Sequence, residues 1–179
     1  MAPARLLQGY VQVYTGDGKG KTTAAMGLVF RAAGHGLRSH VIQFMKGDIR
    51  YGEIAAARRL GGLVTITQMG RASFVDRDNP DPEDVRLAGE ALRLARQSVS
   101  SGQFDLVVLD EVNVALDFGL IAVGDVLALI AAKPSHVELI LTGRNAPQAI
   151  LDAADLVTEM RCLKHYYDRG VASRRGIEL

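Results

Sequence analysis

A glycine-rich loop at residues 15–27, TGDGKGKTTAAMG, is the feature that most limits what this chain can fold into. It follows an apolar run that ends near Tyr14 and leads into a helical pattern that begins near Lys21. Glycines between a strand and a helix let backbone N–H groups surround an anion, and the helix N-terminus adds partial positive charge. Because glycine also weakens folding through its entropy, a turn without function is disfavoured. The stretch therefore predicts a phosphate-binding loop.

The loop departs from the general phosphate-loop pattern G-x-x-x-x-G-K-[ST]. With Gly20-Lys21-Thr22 as the anchor, that pattern asks for glycine at position 15, where this chain has threonine. Lys21 and Thr22 are the candidate catalytic residues: Lys21 is expected to reach terminal phosphate oxygens, and Thr22 to place its hydroxyl on Mg²⁺. Lys19 is either a second loop cation or a solvated surface lysine. The predicted nucleotide contacts in the loop are Gly16, Asp17, Gly18, Lys19, Gly20, Lys21, Thr22 and Thr23.

Short apolar runs alternate with longer amphipathic segments along the chain. Consecutive apolar positions, as in LVVL and LILT, are typical of strands covered on both faces, and hence of a parallel sheet between helix layers. The predicted strands are 10–15, 40–45, 64–69, 104–110, 137–143 and 156–163. The predicted helices are 21–34, 82–101, 123–132 and 147–154, with 70–81 irregular. This order predicts an α/β fold of the P-loop NTPase type, with one mostly parallel sheet of about six strands.

Length and composition favour a single domain over residues 1–179, with an N-terminal arm at 1–9 and a C-terminal tail at 164–179. A net charge of +1 gives no electrostatic reason to expect nucleic acid or a membrane surface as a partner. Cys162 is the only cysteine, so an internal disulfide is impossible and a reducing, cytoplasmic location is expected. We expect Cys162 to be a buried apolar residue rather than a nucleophile.

A second half of a nucleotide site is predicted at VVLDE, residues 107–111. An apolar strand delivers Asp110 and Glu111 to the carboxyl edge of the sheet, where ligands bind in open α/β folds. Mg²⁺ prefers oxygen ligands, so a carboxylate near Thr22 would suit it. Taken alone, the acidic pair would fit a surface or helix-capping role equally well. The sequence leaves open which of the two carboxylates contacts the metal.

Several motifs, in order along residues 10–179, resemble the P-loop type of corrinoid adenosyltransferase, which acts on cob(I)alamin or cob(I)yrinic acid a,c-diamide. In that family the first loop position is commonly threonine, as Thr15 is here. The shared segments are TGDGKGKTTAA at 15–25, VIQFMKG at 41–47 with Tyr51-Gly52-Glu53, VVLDE at 107–111, LTGRNAP at 141–147, ILDAADLVTEM at 150–160 and KHYYDRGVASRRGIE at 164–178.

The resemblance implies a reaction between ATP and a reduced corrinoid, in cobalamin biosynthesis or salvage. Co(I) attacks the 5′ carbon of ATP and displaces the whole triphosphate, with Mg²⁺ as the expected metal. It also implies that ATP lies reversed in the loop, so that C5′ faces the corrinoid. Because Co(I) is already a strong nucleophile, no general base is expected. The resemblance further suggests a homodimer and an electron-donating flavoprotein.

The chain departs from the family where an aromatic pair, F-x-W, is expected to displace the lower axial base of Co(II). The matching stretch is SFVDRD at 73–78, with Phe74 at the first aromatic position and Asp76 at the second. Phe74 either presses on the lower face of the corrin or is an ordinary loop or core anchor, with Tyr166 and Tyr167 as alternative aromatic residues of unknown role. Arg144 is expected to contact a phosphate or a corrin side chain. His165 either contacts a ligand or closes the tail over the sheet.

Two other classes of function fit the loop. One is a different P-loop enzyme, a small-molecule kinase or NTPase, which would need a base beside its acceptor and an arginine-rich lid. The other is a regulatory or corrinoid-carrying protein that binds a nucleotide without turnover. The ordered set of motifs favours the adenosyltransferase over both.

Overall fold

The central feature of the fold is a parallel β-sheet. A computed structural model describes residues 5–47 and 51–178, and within them six strands form one sheet in the order β3-β2-β4-β5-β1-β6, with every neighbouring pair parallel. The strands are β1 Val11–Thr15, β2 Ser39–Phe44, β3 Val64–Met69, β4 Leu106–Asp110, β5 Glu138–Thr142 and β6 Leu156–Glu159. The predicted α/β class and six-stranded sheet are confirmed. Residues 1–4 of the expected arm and Leu179 of the expected tail lie outside the described residues.

Helices cover both faces of the sheet, and strands β2, β4 and β5 are therefore buried at every position. On one face, α1 and α2 pack over Val41, Val108 and Ile140; on the other, α3 to α6 pack over a larger core that contains Leu109 and Leu139. The helices are α1 Lys21–Gly34, α2 Gly52–Arg58, α3 Pro82–Ser100, α4 Val112–Asp117, α5 Val123–Ala131 and α6 Gln148–Asp152, followed by a 3₁₀ turn at Tyr166–Arg169. In the described part of the chain, no helix is long and apolar enough to cross a membrane.

Two short helices, α2 and α4, were not predicted from the sequence. Each has at most seven residues and begins without a side-chain cap, so neither leaves a capping signal in the sequence. The other four helices lie within two residues of their predicted bounds. Strand β6 is shorter than the predicted 156–163. It ends at Glu159 because the chain then leaves the sheet and crosses the glycine-rich loop.

The contact between the loop and the segment after β6 explains why the loop has threonine at position 15 and glycine at positions 16 and 18. Thr15 is the last residue of β1 and pairs with Glu159 of β6, so position 15 is still part of the sheet. The Gly18 N–H then donates to the Met160 carbonyl at 2.6 Å. A Cβ atom at Gly16 or Gly18 would lie 2.5 or 2.7 Å from that same carbonyl oxygen. The chain can therefore carry a side chain at 15, while the close approach of Met160 requires glycine at 16 and 18.

Replacing Gly18 by alanine should distort the loop, since the new Cβ would meet backbone atoms of Met160 and Arg161, which cannot rotate away. We expect Gly18→Ala to lower the melting temperature and to weaken ATP binding at least about tenfold, which corresponds to ~1.4 kcal/mol. The measurements are thermal unfolding and equilibrium titration with ATP.

Gly27→Ala is the matched control for Gly18→Ala. Gly27 lies inside α1 with open space around its Cβ position, so alanine there should stabilise the helix by roughly 1 kcal/mol and leave ATP affinity unchanged. Equal ATP affinities of Gly18→Ala and Gly27→Ala would contradict the close contact between the loop and Met160.

Candidate active site

A large cleft lies over the carboxyl ends of the strands. Its volume is about 1170 Å³, and one side is lined by loop residues 17–23 together with Glu111 and Arg144. The rest of the lining comes from residues 71–75 with Arg77, which follow β3, and from His165 and residues 176–178 of the tail, which follow β6. The predicted loop, strand end and tail thus meet in one space, which is larger than most small-molecule pockets. Gly16 is not part of the lining; it forms the turn behind it, with φ of 90°.

Lys21 lies folded back over the loop. Its Nζ donates to the carbonyl oxygens of Gly16 at 2.6 Å and Gly18 at 2.8 Å. Burial lowers the pKa of this ammonium, while Glu111 acts in the opposite direction. The residue is only 9% exposed, and its side chain reaches the cleft from the first turn of α1. A lysine held by two carbonyls can exchange them for stronger, charged acceptors such as phosphate oxygens.

Asp110, at the end of β4, accepts hydrogen bonds from four side-chain donors in the described part of the chain. Its Oδ1 accepts from Thr22 at 2.8 Å and from Thr142 at 2.7 Å. Its Oδ2 accepts from Lys46 at 2.7 Å and from Gln43 at 3.2 Å. Burial alone would raise the pKa of Asp110, but the charge of Lys46 and these hydrogen bonds outweigh burial and hold the pKa below its usual range. The carboxylate therefore stays ionised and has its lone pairs in use.

Glu111 differs from Asp110 in the hydrogen bonds to its carboxylate and in the direction of its pKa shift. Its backbone is left-handed, with φ of 64°, and its N–H donates to the Thr142 hydroxyl at 3.0 Å. Its side chain lines the cleft, and within residues 5–47 and 51–178 no hydrogen bond to its carboxylate is found. Burial, and next the charge of Asp110, raise the pKa of Glu111. Glu111 is thus the carboxylate with free lone pairs, and Asp110 the one that orients Thr22.

The loop that carries Phe74 is anchored on both sides of that residue. Arg71 donates to Asp84 through Nε at 2.8 Å and Nη2 at 2.6 Å, which fixes the loop to the first turn of α3. Arg77 donates to Asp117 at 2.9 Å, and Asp117 also accepts from Asn145. Phe74 is fully exposed, at 104%, and lines the cleft. An apolar ring held in water by a fixed loop has no core role, so its interpretation as a core anchor does not fit.

Asp76, at the position where the resemblance led us to expect a second aromatic residue, does not line the cleft. Its Oδ1 accepts from the backbone N–H groups of Asp78 at 3.0 Å and Asn79 at 3.3 Å, so the carboxylate caps a turn. The neighbouring Arg77 lines the cleft instead. A carboxylate engaged in this way is not directed at a ligand on the Phe74 side.

The C-terminal tail closes one end of the cleft. Arg174 and Tyr166 both donate to Glu178, and these hydrogen bonds lower the pKa of Glu178 to about 2. His165 lines the cleft, while its ring also accepts from the Tyr167 N–H at 3.0 Å. Neither Tyr166 nor Tyr167 lines the cleft. Cys162 is exposed, so the prediction that it is buried is wrong; it lies beyond β6, where the chain has left the sheet.

Comparison with known proteins decides the family. The sequence model of ATP:corrinoid adenosyltransferase BtuR/CobO/CobP matches residues 7–179. This chain belongs to that family. A corrinoid adenosyltransferase of Pseudomonas aeruginosa is 39% identical over 99% of this chain and 87% of its own length. The corrinoid adenosyltransferase CobA of Salmonella typhimurium is 34% identical over 99% of this chain and 89% of its own length.

The fold is also shared with a more distant protein. The crystal structure of a KaiC-like protein from the archaeon Pyrococcus horikoshii superposes with a TM-score of 0.59. The alignment covers 88% of this chain and 75% of that one, at 19% identity, so the likeness concerns the fold alone.

Sequence reasoning missed Lys46 and Gln43 as members of the site. Both belong to the β2 strand end, and β2 pairs directly with β4 in the sheet. Lys46 is placed by Met45, whose φ is 56°, and by contact between Gly47 and Gly70, where a Cβ on Gly47 would lie 2.3 Å from the Gly70 oxygen. A signal was present, because a lone lysine and two glycines, Gly47 and Gly70, follow two apolar strands. Only the strand order shows that they meet Asp110.

Proposed function

We propose that this protein transfers the 5′-deoxyadenosyl group of ATP to the Co(I) centre of a reduced corrinoid and releases inorganic triphosphate. The observation that carries the proposal is the cleft: one continuous space is lined by the glycine-rich loop on one side and by the exposed Phe74 on the other. Family membership supplies the two substrates, ATP and a corrinoid. A volume of about 1170 Å³ leaves room beside a nucleotide for a large second substrate.

The reaction makes one bond and breaks one bond. The electron pair of Co(I) forms the Co–C5′ bond, and the C5′–O bond breaks with its electron pair moving onto the departing triphosphate. No proton has to move, so no general base is required. The protein has two tasks: it holds C5′ in line with the cobalt, and it stabilises charge on the leaving group.

Loop residues perform the second task. The backbone N–H groups at the N-terminus of α1 and the Lys21 ammonium provide positive charge where the triphosphate lies. Lys21 releases the carbonyls of Gly16 and Gly18 to bind phosphate oxygens. Asp17, Lys19, Gly20, Thr23 and Arg144 line the same space and complete the proposed nucleotide contacts.

Magnesium fits the residues present. Thr22 donates its proton to Asp110 and accepts a long contact from Lys46, which leaves a lone pair of its oxygen for a metal. Glu111 offers a carboxylate without a hydrogen-bond partner in the described part of the chain. We therefore propose that Thr22 and Glu111 hold Mg²⁺, directly or through water, and that Asp110 orients Thr22. The ion would neutralise charge on the triphosphate.

The remaining features of the proposal rest on the family. We propose that the protein works as a cytoplasmic homodimer and receives electrons from a flavoprotein, in cobalamin biosynthesis or salvage. The family supports the corrinoid and ATP as substrates but leaves the natural corrinoid open.

The decisive assay mixes protein, ATP, Mg²⁺ and chemically reduced cobalamin. We expect light-sensitive adenosylcobalamin and inorganic triphosphate in equal amounts; release of ADP and orthophosphate would instead indicate a kinase or ATPase.

Lys21→Ala should reduce kcat/KM by about 10- to 150-fold, because a buried charge-assisted hydrogen bond contributes roughly 1.5–3 kcal/mol. Normal turnover of this variant at saturating ATP would remove Lys21 from the site.

Amide variants separate the two carboxylates. Glu111→Gln should raise the Mg²⁺ concentration needed for half-maximal activity, with little change in melting temperature. Asp110→Asn should lower the melting temperature, because the partly buried Lys46 loses its counter-charge. Melting curves and Mg²⁺ titrations of both variants test this assignment, and an unchanged Mg²⁺ requirement in Glu111→Gln would refute it.

Phe74 is expected to assist reduction rather than transfer. An apolar ring beneath the cobalt removes a donor ligand from Co(II) and keeps water from that face, which favours Co(I). Phe74→Ala should therefore slow adenosylcobalamin formation much more with a mild biological reductant than with pre-reduced Co(I). Phe30→Ala, which removes another exposed ring on α1 away from the cleft, should change neither rate. Equal losses for Phe74→Ala under both conditions would indicate that the ring only shapes the loop.

A further inference from the structure

Lys46 occupies an unusual place for a lysine in a nucleotide site. Its Nζ donates to Asp110 Oδ2 at 2.7 Å and to Thr22 Oγ1 at 3.3 Å, and it lies 5.7 Å from the centre of the Tyr51 ring. The side chain is 17% exposed and lines the cleft. A second ammonium thus lies beside the hydroxyl proposed to hold the metal.

The ammonium keeps capacity for another acceptor. It carries three protons, and its two partners within residues 5–47 and 51–178 are Asp110 and Thr22. The contact with Thr22 is long, whereas the contact with Asp110 is short and charge-assisted. Lys46 can therefore keep Asp110 while it donates to a new oxygen in the cleft.

Lys46 and Lys21 reach the cleft from the ends of different strands. Lys21 begins α1, directly after the loop that follows β1, and Lys46 follows β2, which is separated from β1 by β4 and β5 in the sheet. A phosphate chain laid over Thr22 would have Lys21 on one side and Lys46 on the other. Because the triphosphate leaves as one unit in the proposed reaction, charge on all its phosphates must be stabilised together.

We propose that Lys46 is a second triphosphate-binding residue. Without nucleotide its ammonium is held by Asp110 and Thr22, and with nucleotide it keeps Asp110 and donates to a triphosphate oxygen. This inference rests on the proposed function and adds a specific residue to its leaving-group site. The competing explanation is that Lys46 serves only to neutralise the buried Asp110.

A double-mutant cycle separates the two explanations. Inorganic triphosphate is the probe, and calorimetry measures its dissociation constant with excess Mg²⁺ and again with a chelator. The four proteins compared are the wild type, Lys46→Met, Asp110→Asn and the double variant. If Lys46 binds triphosphate, its removal should weaken binding about tenfold or more even when position 110 is already asparagine. If Lys46 only neutralises Asp110, the double variant will bind as tightly as Asp110→Asn, and the proposal is wrong.

Controls keep the result independent of folding and of the reaction. The double variant removes both members of a buried ion pair, which is far milder for folding than the loss of one. Adenosine, which has no phosphate, should bind all four proteins alike; an equal loss of adenosine and triphosphate binding in the double variant would also overturn the proposal. Arg93→Met, on the exposed face of α3, controls for the removal of a positive charge and should leave binding unchanged. No triphosphate or ATP binding by the wild type would overturn the proposed function as well, whereas wild-type binding without a Lys46 effect overturns this inference alone.

Discussion

The buried carboxylate of Asp110 is the interaction on which the site depends. Its four donors come from the first turn of α1, from the end of β5 and from the β2 strand end, so one charge joins three separate parts of the chain. Removing a charge from water costs several kcal/mol, and here that cost is offset by an ammonium and three further hydrogen bonds. The position of Thr22 relative to Lys46 is thereby fixed before any ligand binds, which reduces the reorganisation that binding would otherwise require.

Parallel strand order brings these groups together. β5 lies between β1 and β4, so Thr142 at its end is next to Asp110, where it accepts from the Glu111 N–H and donates to Asp110. The same hydroxyl therefore holds the Asp110 carboxylate and the Glu111 backbone. The Asp110 carboxylate is directed into the protein and ionised, and the Glu111 carboxylate is directed into the cleft with a raised pKa.

The sequence predicted the sheet, the loop and the acidic strand end, because each has a local signal: apolar runs, glycine spacing and a carboxylate after a strand. It did not predict that Lys46 meets Asp110, since this depends on β2 pairing with β4 across 64 positions of chain. Nor did it show the role of Asp76, whose turn-capping hydrogen bonds depend on the path of the 70–81 loop. The reason for glycine at 16 and 18 also required the structure, because the atom that excludes a side chain belongs to Met160.

Strand β6 lies at the edge of the sheet, and the residue that follows it, Met160, contacts the glycine-rich loop. The loop therefore depends on a strand that is exposed to solvent. All four β6 residues are exposed, with Leu156 and Val157 at 44% and 45%, and their recorded strand partner is β1. Edge strands with little burial open more readily than core strands, and opening here would withdraw Met160 from Gly18. A nucleotide that requires the native loop binds only the molecules in which β6 is paired. Its measured affinity is then the intrinsic affinity multiplied by that fraction, and its binding protects the β6 amides from hydrogen exchange.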